Sequence, residues 1–346
     1  MNKKIYIYIL IVIVLIVAAS IYVDQSTKIH ISNSAPTQTK SQSQNQNKIT
    51  LGDYGQAPDF KKGDTWLNGQ PLTMADLKGK VVLVDFWTYS CINCIRTLPY
   101  VTKWYDTYKN NGFVIVGVHT PEFTFEHNTN NVKNAIAQFG IHYPVVQDND
   151  YGIWTAYNNE YWPADYLINQ KGEIVEEHFG EGNYTETEND IRYLLGVSQL
   201  NSTQPASSDN LNGIGSPEMY FGTYRLANLT PSQSPASTPT NYTINQNLAL
   251  NNFSLGGNWQ FSEPNLQLMG SSGQINLKFH SGKLYMVASS QNPVTLTITV
   301  DGKQQPSVII QASKLYTIFD SNDYSDHVVE ININQSGFQA FTFTFG

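Results

Sequence analysis

The chain has 346 residues, 14% of them charged, and its 20 Lys and Arg against 28 Asp and Glu leave a formal charge of −8. A weakly acidic chain without basic runs does not suit nucleic acid as a partner. The length exceeds one typical domain, and only two cysteines are present, Cys91 and Cys94.

The amino terminus opens on Asn2-Lys3-Lys4, followed by an uninterrupted apolar run from Ile5 to Val23. A helix over that run would span roughly 28 Å, close to a bilayer's hydrocarbon core. Residues 1–30 are therefore predicted to be a transmembrane anchor in the cytoplasmic membrane, with a cleaved signal peptide as the alternative. Lys3 and Lys4 should stay inside and send the rest of the chain to the extracytoplasmic side. Residues 31–50 are rich in Ser, Gln and Asn and read as a polar linker. From 51 to 200 strand-like and helix-like segments alternate. A second polar linker covers 201–216, and from 217 to 346 every apolar run is short and alternates with period two. The expected order is anchor, linker, α/β domain at 51–200, linker, and all-β domain at 217–346.

Within the first domain, "GKVVLVDFW" (79–87) suits a central buried strand. The two cysteines come next. Ile95, Leu98, Val101, Trp104, Tyr105 and Tyr108 then fall on one helical face, with Gly112 as the stop. Pro99 should kink this helix rather than end it, because the apolar stripe continues beyond. Cys91 thus sits between a strand's carboxyl end and a helix's amino end, where free N–H groups and the helix dipole favour a thiolate. Cys94 lies one turn on, within reach of the first sulfur. A zinc site would need further ligands at matching spacing. A structural disulfide would close a loop too short to restrain the unfolded chain much. A redox-active dithiol fits the position and the lack of competing thiols.

"FVIVGV" (113–118) reads as another strand, so His119 and Glu122 of "HTPEFTFEH" should lie near the sheet's carboxyl edge, beside the cysteines. They are accessory candidates for handling protons or shaping the loop. Metal binding by His119, Glu122, Glu126 and His127 lacks an established spacing; no metal and no cofactor is expected. "TETENDIRYLLG" (185–196) reads as a terminal helix with Thr187 as N-cap and Gly196 as stop. In the β domain, Asp301-Gly302 should turn a hairpin, and Phe341, Phe343 and Phe345 should share one core-facing strand face. Residues 228–241 read as a disordered Pro/Ser/Thr loop. Carbohydrate binding there would need an exposed aromatic, for which Trp259 is the best candidate.

These motifs carry a resemblance. "VDFWTYSCINC" resembles the Val-Asp-Phe-Trp-x-x-x-Cys-x-x-Cys of thioredoxin, and Pro99 matches the proline of its kinked helix. Residues 57–197 resemble the thioredoxin-like domains of extracytoplasmic thiol oxidoreductases of the TlpA and ResA kind. A closer resemblance is to the extracytoplasmic part of DipZ-type cytochrome c biogenesis proteins, which share "WTYSCINCIRTLPYV", "GVHTPEF", "YPVVQDND", "YWPADYLIN" and a β domain opening like "SPEMYFGTYR". The resemblance implies a membrane-anchored thiol–disulfide oxidoreductase with Cys91 as nucleophile and Cys94 as resolving thiol. Asp85 would exchange protons with Cys94. Pro163 would be the cis-proline facing the cysteines, and Trp162, Pro163, Trp87 and Ser90 would contact substrate, although Ser90 stands where thioredoxin has Trp. The β domain would be a jelly roll similar to carbohydrate-binding modules. Partners implied are protein thiols and disulfides and a membrane-embedded electron donor of the CcdA or DipZ kind, supplied as a separate chain because a single apolar segment stands where DipZ-type proteins carry a multi-pass domain. A peroxiredoxin-like enzyme is the alternative, although its Pro-x-x-x-Thr/Ser-x-x-Cys motif needs Pro where Val84 stands. A surface glycan- or protein-binding module with an accessory redox domain is a second alternative.

Overall fold

The computed structural model describes residues 51–60, 65–198 and 211–346, and Ile49–Gly346 form one compact unit. The predicted anchor and first linker lie outside the described residues, as does most of the second linker. Among the described residues no helix is long and apolar enough to cross a membrane.

The first half follows the expected alternation. Its elements are β1 (Thr65–Leu67), β2 (Val81–Trp87), α1 (Ile92–Tyr108), β3 (Phe113–His119), α2 (Thr129–Gln138), β4 (Val145–Gln147), α3 (Gly152–Ala156), β5 (Ala164–Ile168), β6 (Ile174–Phe179) and α4 (Tyr184–Leu195). The strands form one sheet in the order β1-β4-β3-β2-β5-β6. The three middle pairings join β2, β3 and β4 in parallel and β5 to β2 in antiparallel fashion. All seven residues of β2 are buried because both faces of the sheet are covered. Val82, Val84 and Phe86 pack against Ile153 and Tyr157 on one face. Leu83 and Trp87 pack against Leu98, Val101 and Trp104 of α1, Val132 of α2 and Ile191 of α4 on the other. Alternation puts Asp85 on that second, helix-covered face.

α1 runs through Pro99 for more than two further turns. One lost backbone hydrogen bond there is offset by burial of Leu98, Val101, Trp104 and Tyr108. Gly112, at φ 91°, closes the segment after a 3-10 turn. The terminal helix starts earlier than the sequence suggests. Its cap residue is Asn183 in the left-handed region, and Thr187 is already inside the first turn. The Thr187 hydroxyl does not cap; it donates to Glu176 Oε1 at 2.8 Å, a tertiary bond to β6 that sequence spacing cannot reveal.

The second half is all β: β7 (Met219–Tyr220), β8 (Thr240–Tyr242), β9 (Asn252–Phe261), β10 (Leu266–His280), β11 (Lys283–Ser289), β12 (Val294–Val300), β13 (Lys303–Gln304), β14 (Val308–Ile310), β15 (Lys314–Asp320), β16 (Asp326–Ile333) and β17 (Gln339–Phe345). All eleven strands belong to one curled sheet. β10 bends it: Leu266 and Gln267 pair with β17, whereas Gly273–His280 pair with β16. Asp301 and Gly302 turn the β12–β13 hairpin at φ 51° and 73°.

Three expectations fail here. Trp259 is wholly buried and donates to the Gly256 carbonyl at 2.8 Å, so it packs the core and offers no platform for a sugar. Residues 228–241 form a tied-down loop: Gln233 donates to the Thr243 and Leu255 carbonyls and accepts from Leu255 N–H, replacing a missing strand partner. The three phenylalanines do not share a face. The β11–β17 register shifts between Val287, opposite Thr342, and Ala288, opposite Ala340. This bulge turns Phe341 away from Phe343 and Phe345 and out of the β core.

Phe341 enters the first half of the molecule instead. Its ring meets Phe123 at 5.3 Å and Phe125 at 4.9 Å, both edge-on. Beside it, Glu122 Oε1 accepts from Tyr220 Oη at 2.8 Å and Arg225 Nη1 at 2.9 Å, with the Arg225 guanidinium over the Tyr220 ring. A second tie runs from Arg96 of α1, which pairs with Glu181 at 2.7 Å and donates to the Phe345 carbonyl at 3.3 Å.

Candidate active site

Cys91 stands where the sequence places it, as the cap residue of α1 just beyond β2. Its extended backbone (φ −77°, ψ 119°) turns the sulfur back over the first turn, where Sγ accepts from Cys94 N–H at 3.4 Å. Cys91 is partly exposed and Cys94 buried, and both thiols are free. Burial, followed by the neighbouring Cys91 sulfur, pushes the Cys94 thiol well above its ordinary value. The outer cysteine can therefore meet a partner while the inner one waits as a thiol.

The Trp162–Pro163 peptide bond is cis. It brings the Trp162 carbonyl to 3.9 Å from Cys91 Sγ. Trp162 is anchored by its indole N–H on the Thr120 carbonyl at 3.1 Å and by packing on Trp154. Two of the four expected substrate contacts are thus next to the exposed sulfur. The other two are not available. Trp87 is completely buried, edge-on to His119. Ser90 is 1% exposed, and its hydroxyl points inward to Glu126. Each follows from strand alternation and from a buried acceptor that the local sequence does not advertise.

Asp85 is 1% exposed, and burial raises its carboxyl to about 7, against the opposing effect of one hydrogen bond from Tyr143. That bond, Tyr143 Oη to Asp85 Oδ2 at 3.2 Å, crosses Gly117 of β3. A Cβ on Gly117 would lie 2.9 Å from the Tyr143 ring, closer than real contacts allow. The glycine is what lets the phenol reach across the sheet.

The accessory pair separates. His119 ends β3 opposite Trp87 and lies beside Thr88 and Tyr89, as expected of the sheet's carboxyl edge. It is fully buried, and burial pushes its imidazole down to about 3, so it is neutral at ordinary pH and acts as packing. Glu122 points away from the cysteines to Tyr220 and Arg225, which leaves it no proton-handling part at the sulfurs. Among the described residues no group of three or more His, Cys, Asp or Glu is placed to hold a metal ion.

The residue that sequence reasoning passed over is Glu126, weighed only as a metal ligand. Its carboxyl is fully buried. Oε1 accepts from Ser90 Oγ at 2.7 Å and Ser90 N–H at 3.3 Å; Oε2 accepts from Glu122 N–H at 2.6 Å and Phe123 N–H at 2.9 Å. It ties the turn before Cys91 to the loop that meets the β half. Burial raises it to about 7 despite these donors.

A Redoxin family model matches residues 51–195, and a model described as "Thioredoxin like C-terminal domain" matches residues 216–346. Protein DipZ of Mycobacterium tuberculosis (strain CDC 1551 / Oshkosh) is 36% identical over 305 residues, which is 86% of this chain and 44% of that protein. This chain therefore spans less than half of that relative. The thiol-disulfide oxidoreductase ResA of Bacillus subtilis (strain 168) is 34% identical over 128 residues, covering 37% of this chain and 68% of ResA. A solved thiol:disulfide interchange protein of the thioredoxin family from Chlorobium tepidum TLS is 26% identical, covering 41% of this chain and 97% of that one, with a TM-score of 0.36. With two cysteines at a strand-to-helix junction under a cis-proline loop, and with ResA matched over two thirds of its length, the chain belongs to the thioredoxin-like thiol–disulfide oxidoreductases of the TlpA, ResA and DipZ kind.

Proposed function

We propose that the protein exchanges electrons with protein disulfides through Cys91 and Cys94. The observation that carries this reading is the asymmetry of the pair: a partly exposed sulfur under the Trp162 carbonyl, and a buried thiol one helical turn away. Written in the reducing direction, the Cys91 thiolate attacks a partner disulfide, forms a mixed disulfide and expels one partner thiolate. Cys94 then gives its proton to the Asp85 carboxylate, and its sulfur attacks Cys91. The Cys91–Cys94 bond forms, the mixed bond breaks, and two electrons leave with the second partner thiolate. Trp162 and Pro163 offer backbone to the incoming chain beside Cys91.

The proposed organisation keeps a redox domain at 51–200 and a β domain at 217–346, supported by family matches ending and beginning near those limits. For the β domain we retain the jelly roll, on the strength of its single curled sheet bent at β10. Residues 1–30 would anchor the protein in the cytoplasmic membrane with both domains outside, and a CcdA- or DipZ-like membrane protein would exchange electrons with Cys91. Support comes from Lys3, Lys4 and the apolar run that follows, and from the similarity to DipZ.

The chemical reading is tested on insulin or a mixed-disulfide peptide. Cys91→Ser should abolish turnover, and Cys94→Ser should accumulate covalent complexes with the substrate. Full activity in the Cys91→Ser protein would exclude Cys91 as the nucleophile.

A further inference from the structure

The proton that Cys94 releases has no evident way out from Asp85. That carboxyl is buried beneath α1 and accepts from the Tyr143 phenol. On the far side of Asp85, however, β5 pairs with β2 so that Asp165 stands directly opposite it. Directly paired residues of an antiparallel ladder have side chains on the same face, with Cβ atoms about 5 Å apart. Asp165 is 5% exposed, and its Oδ1 has no hydrogen-bond partner among the described residues. Two carboxyls in one apolar interior cannot both ionise cheaply.

We propose that Asp165 is a second proton-holding carboxyl of this site, sharing one proton with Asp85 and passing the proton released by Cys94 toward α4. This rests on the proposed roles of Cys94 and Asp85. In balance, Cys94–SH and the Asp85–Asp165 pair carrying one proton become a Cys94 thiolate and the pair carrying two. The extra proton then leaves to solvent while the thiolate completes the disulfide.

The surroundings fit an exit. Beyond Asp165, the next strand presents Glu176 and His178, the latter directly opposite Asp165. Glu176 Oε2 and His178 Nε2 also lack partners among the described residues. Glu176 Oε1 accepts from Thr187 at the start of α4, the helix that also carries Glu186 and Asp190. Asp190 is raised to about 6, first by burial and then by Glu176, and Asp165 is raised well above its ordinary range by burial, then Asp85, then Glu176. The acids lead step by step from the core to the edge under α4.

The test is a titration of aspartate carboxyls, labelled with carbon-13, by NMR in the reduced full-length protein. Asp85 and Asp165 should titrate as a coupled pair, at least one well above the ordinary carboxylate range. Asp165→Asn should lower the Asp85 midpoint by about one pH unit or more, and Asp85→Asn should lower that of Asp165 alike. The acid limb for resolving a preformed Cys91 mixed disulfide should move down by the same amount in Asp165→Asn. An Asp85 midpoint indifferent to Asp165→Asn, or an Asp165 midpoint indifferent to Asp85→Asn, would overturn the proposal. If Asp165→Asn does not fold, the wild-type and Asp85→Asn titrations still decide. Coupling in a protein whose disulfide reduction ignores Cys91 would sink the dithiol mechanism, and with it the relay. Turnover through Cys91 without coupling would sink Asp165 alone.

Discussion

Glu126 shows how a single buried carboxyl can set both order and pH response. Its ordinary value is 4.5, and burial in the folded protein raises it to about 7. The fold thus favours the protonated form. Its contribution to stability is full below about 4.5 and is lost as pH rises through about 7. Gln at this position can keep an acceptor for the Glu122 and Phe123 N–H groups and turn its amide toward Ser90. Glu126→Gln is therefore expected to lose less stability than the wild type between pH 5 and pH 8. Glu126→Ala, which strands buried donors, should cost about 1–3 kcal/mol or more at both pH values. Denaturant unfolding at the two pH values checks this; equal pH slopes for wild type and Glu126→Gln would show that the carboxyl does not titrate in that range. Cys91 and Cys94 were legible from their spacing, and Asp85 from the resemblance of the stretch around it to thioredoxin. Glu126 was not, since its partner Ser90 lies 36 residues away, and Tyr143 meets Asp85 across 58. A buried acid looks like a surface acid until its donors are known.

At the scale of elements, β3 carries a constraint out of proportion to its length. Gly117 would cost a strand entropy and packing in isolation. Here it clears the path by which Tyr143 reaches Asp85, with Trp87 Nε1 3.1 Å from the site of a Cβ. Gly117→Ala is expected to destabilise by about 1–3 kcal/mol through overpacking and to raise the Asp85 midpoint, because the phenol's hydrogen bond lowers it. Chemical denaturation and the Asp85 titration read the two effects, and an unchanged value of both would mean that Tyr143 does not need the space. Most elements were readable from hydrophobic period: β2, α1, β3 and the Asp301-Gly302 hairpin lie where the pattern puts them. The start of α4 and the facing of Phe341 were not. The first depends on a left-handed Asn183 and the second on a bulge, and neither changes the apolar alternation itself.

For the whole molecule, the proposed anchor makes location part of function. A dithiol held near a bilayer meets a membrane-embedded partner at high effective concentration. A protein lacking residues 1–30 and exported through a cleavable leader should reduce insulin as well as the intact chain does. In cells its Cys91–Cys94 pair should be more oxidised, because electrons no longer reach it at the membrane. Trapping thiols in living cells compares the two; equal reduction of both forms would remove the need for a membrane partner. The proposed anchor rests on sequence alone, on a run of apolar residues behind two lysines.

The loop from Glu122 to Glu126 belongs to the first half and is held from both halves of the protein. Glu126 holds the turn before Cys91, while Glu122, Phe123 and Phe125 are gripped by Arg225, Tyr220 and Phe341. Thioredoxin-like domains are commonly thought of as cassettes that recombination can move between proteins intact. This one is not self-contained in that sense. A gene fragment ending after α4 would inherit both cysteines but leave the outer side of their supporting loop bare. A fusion that kept the β half but altered the bulge at Phe341 would meet the same defect from the other direction. Within this chain, a change on one side of the loop limits what the other can accept.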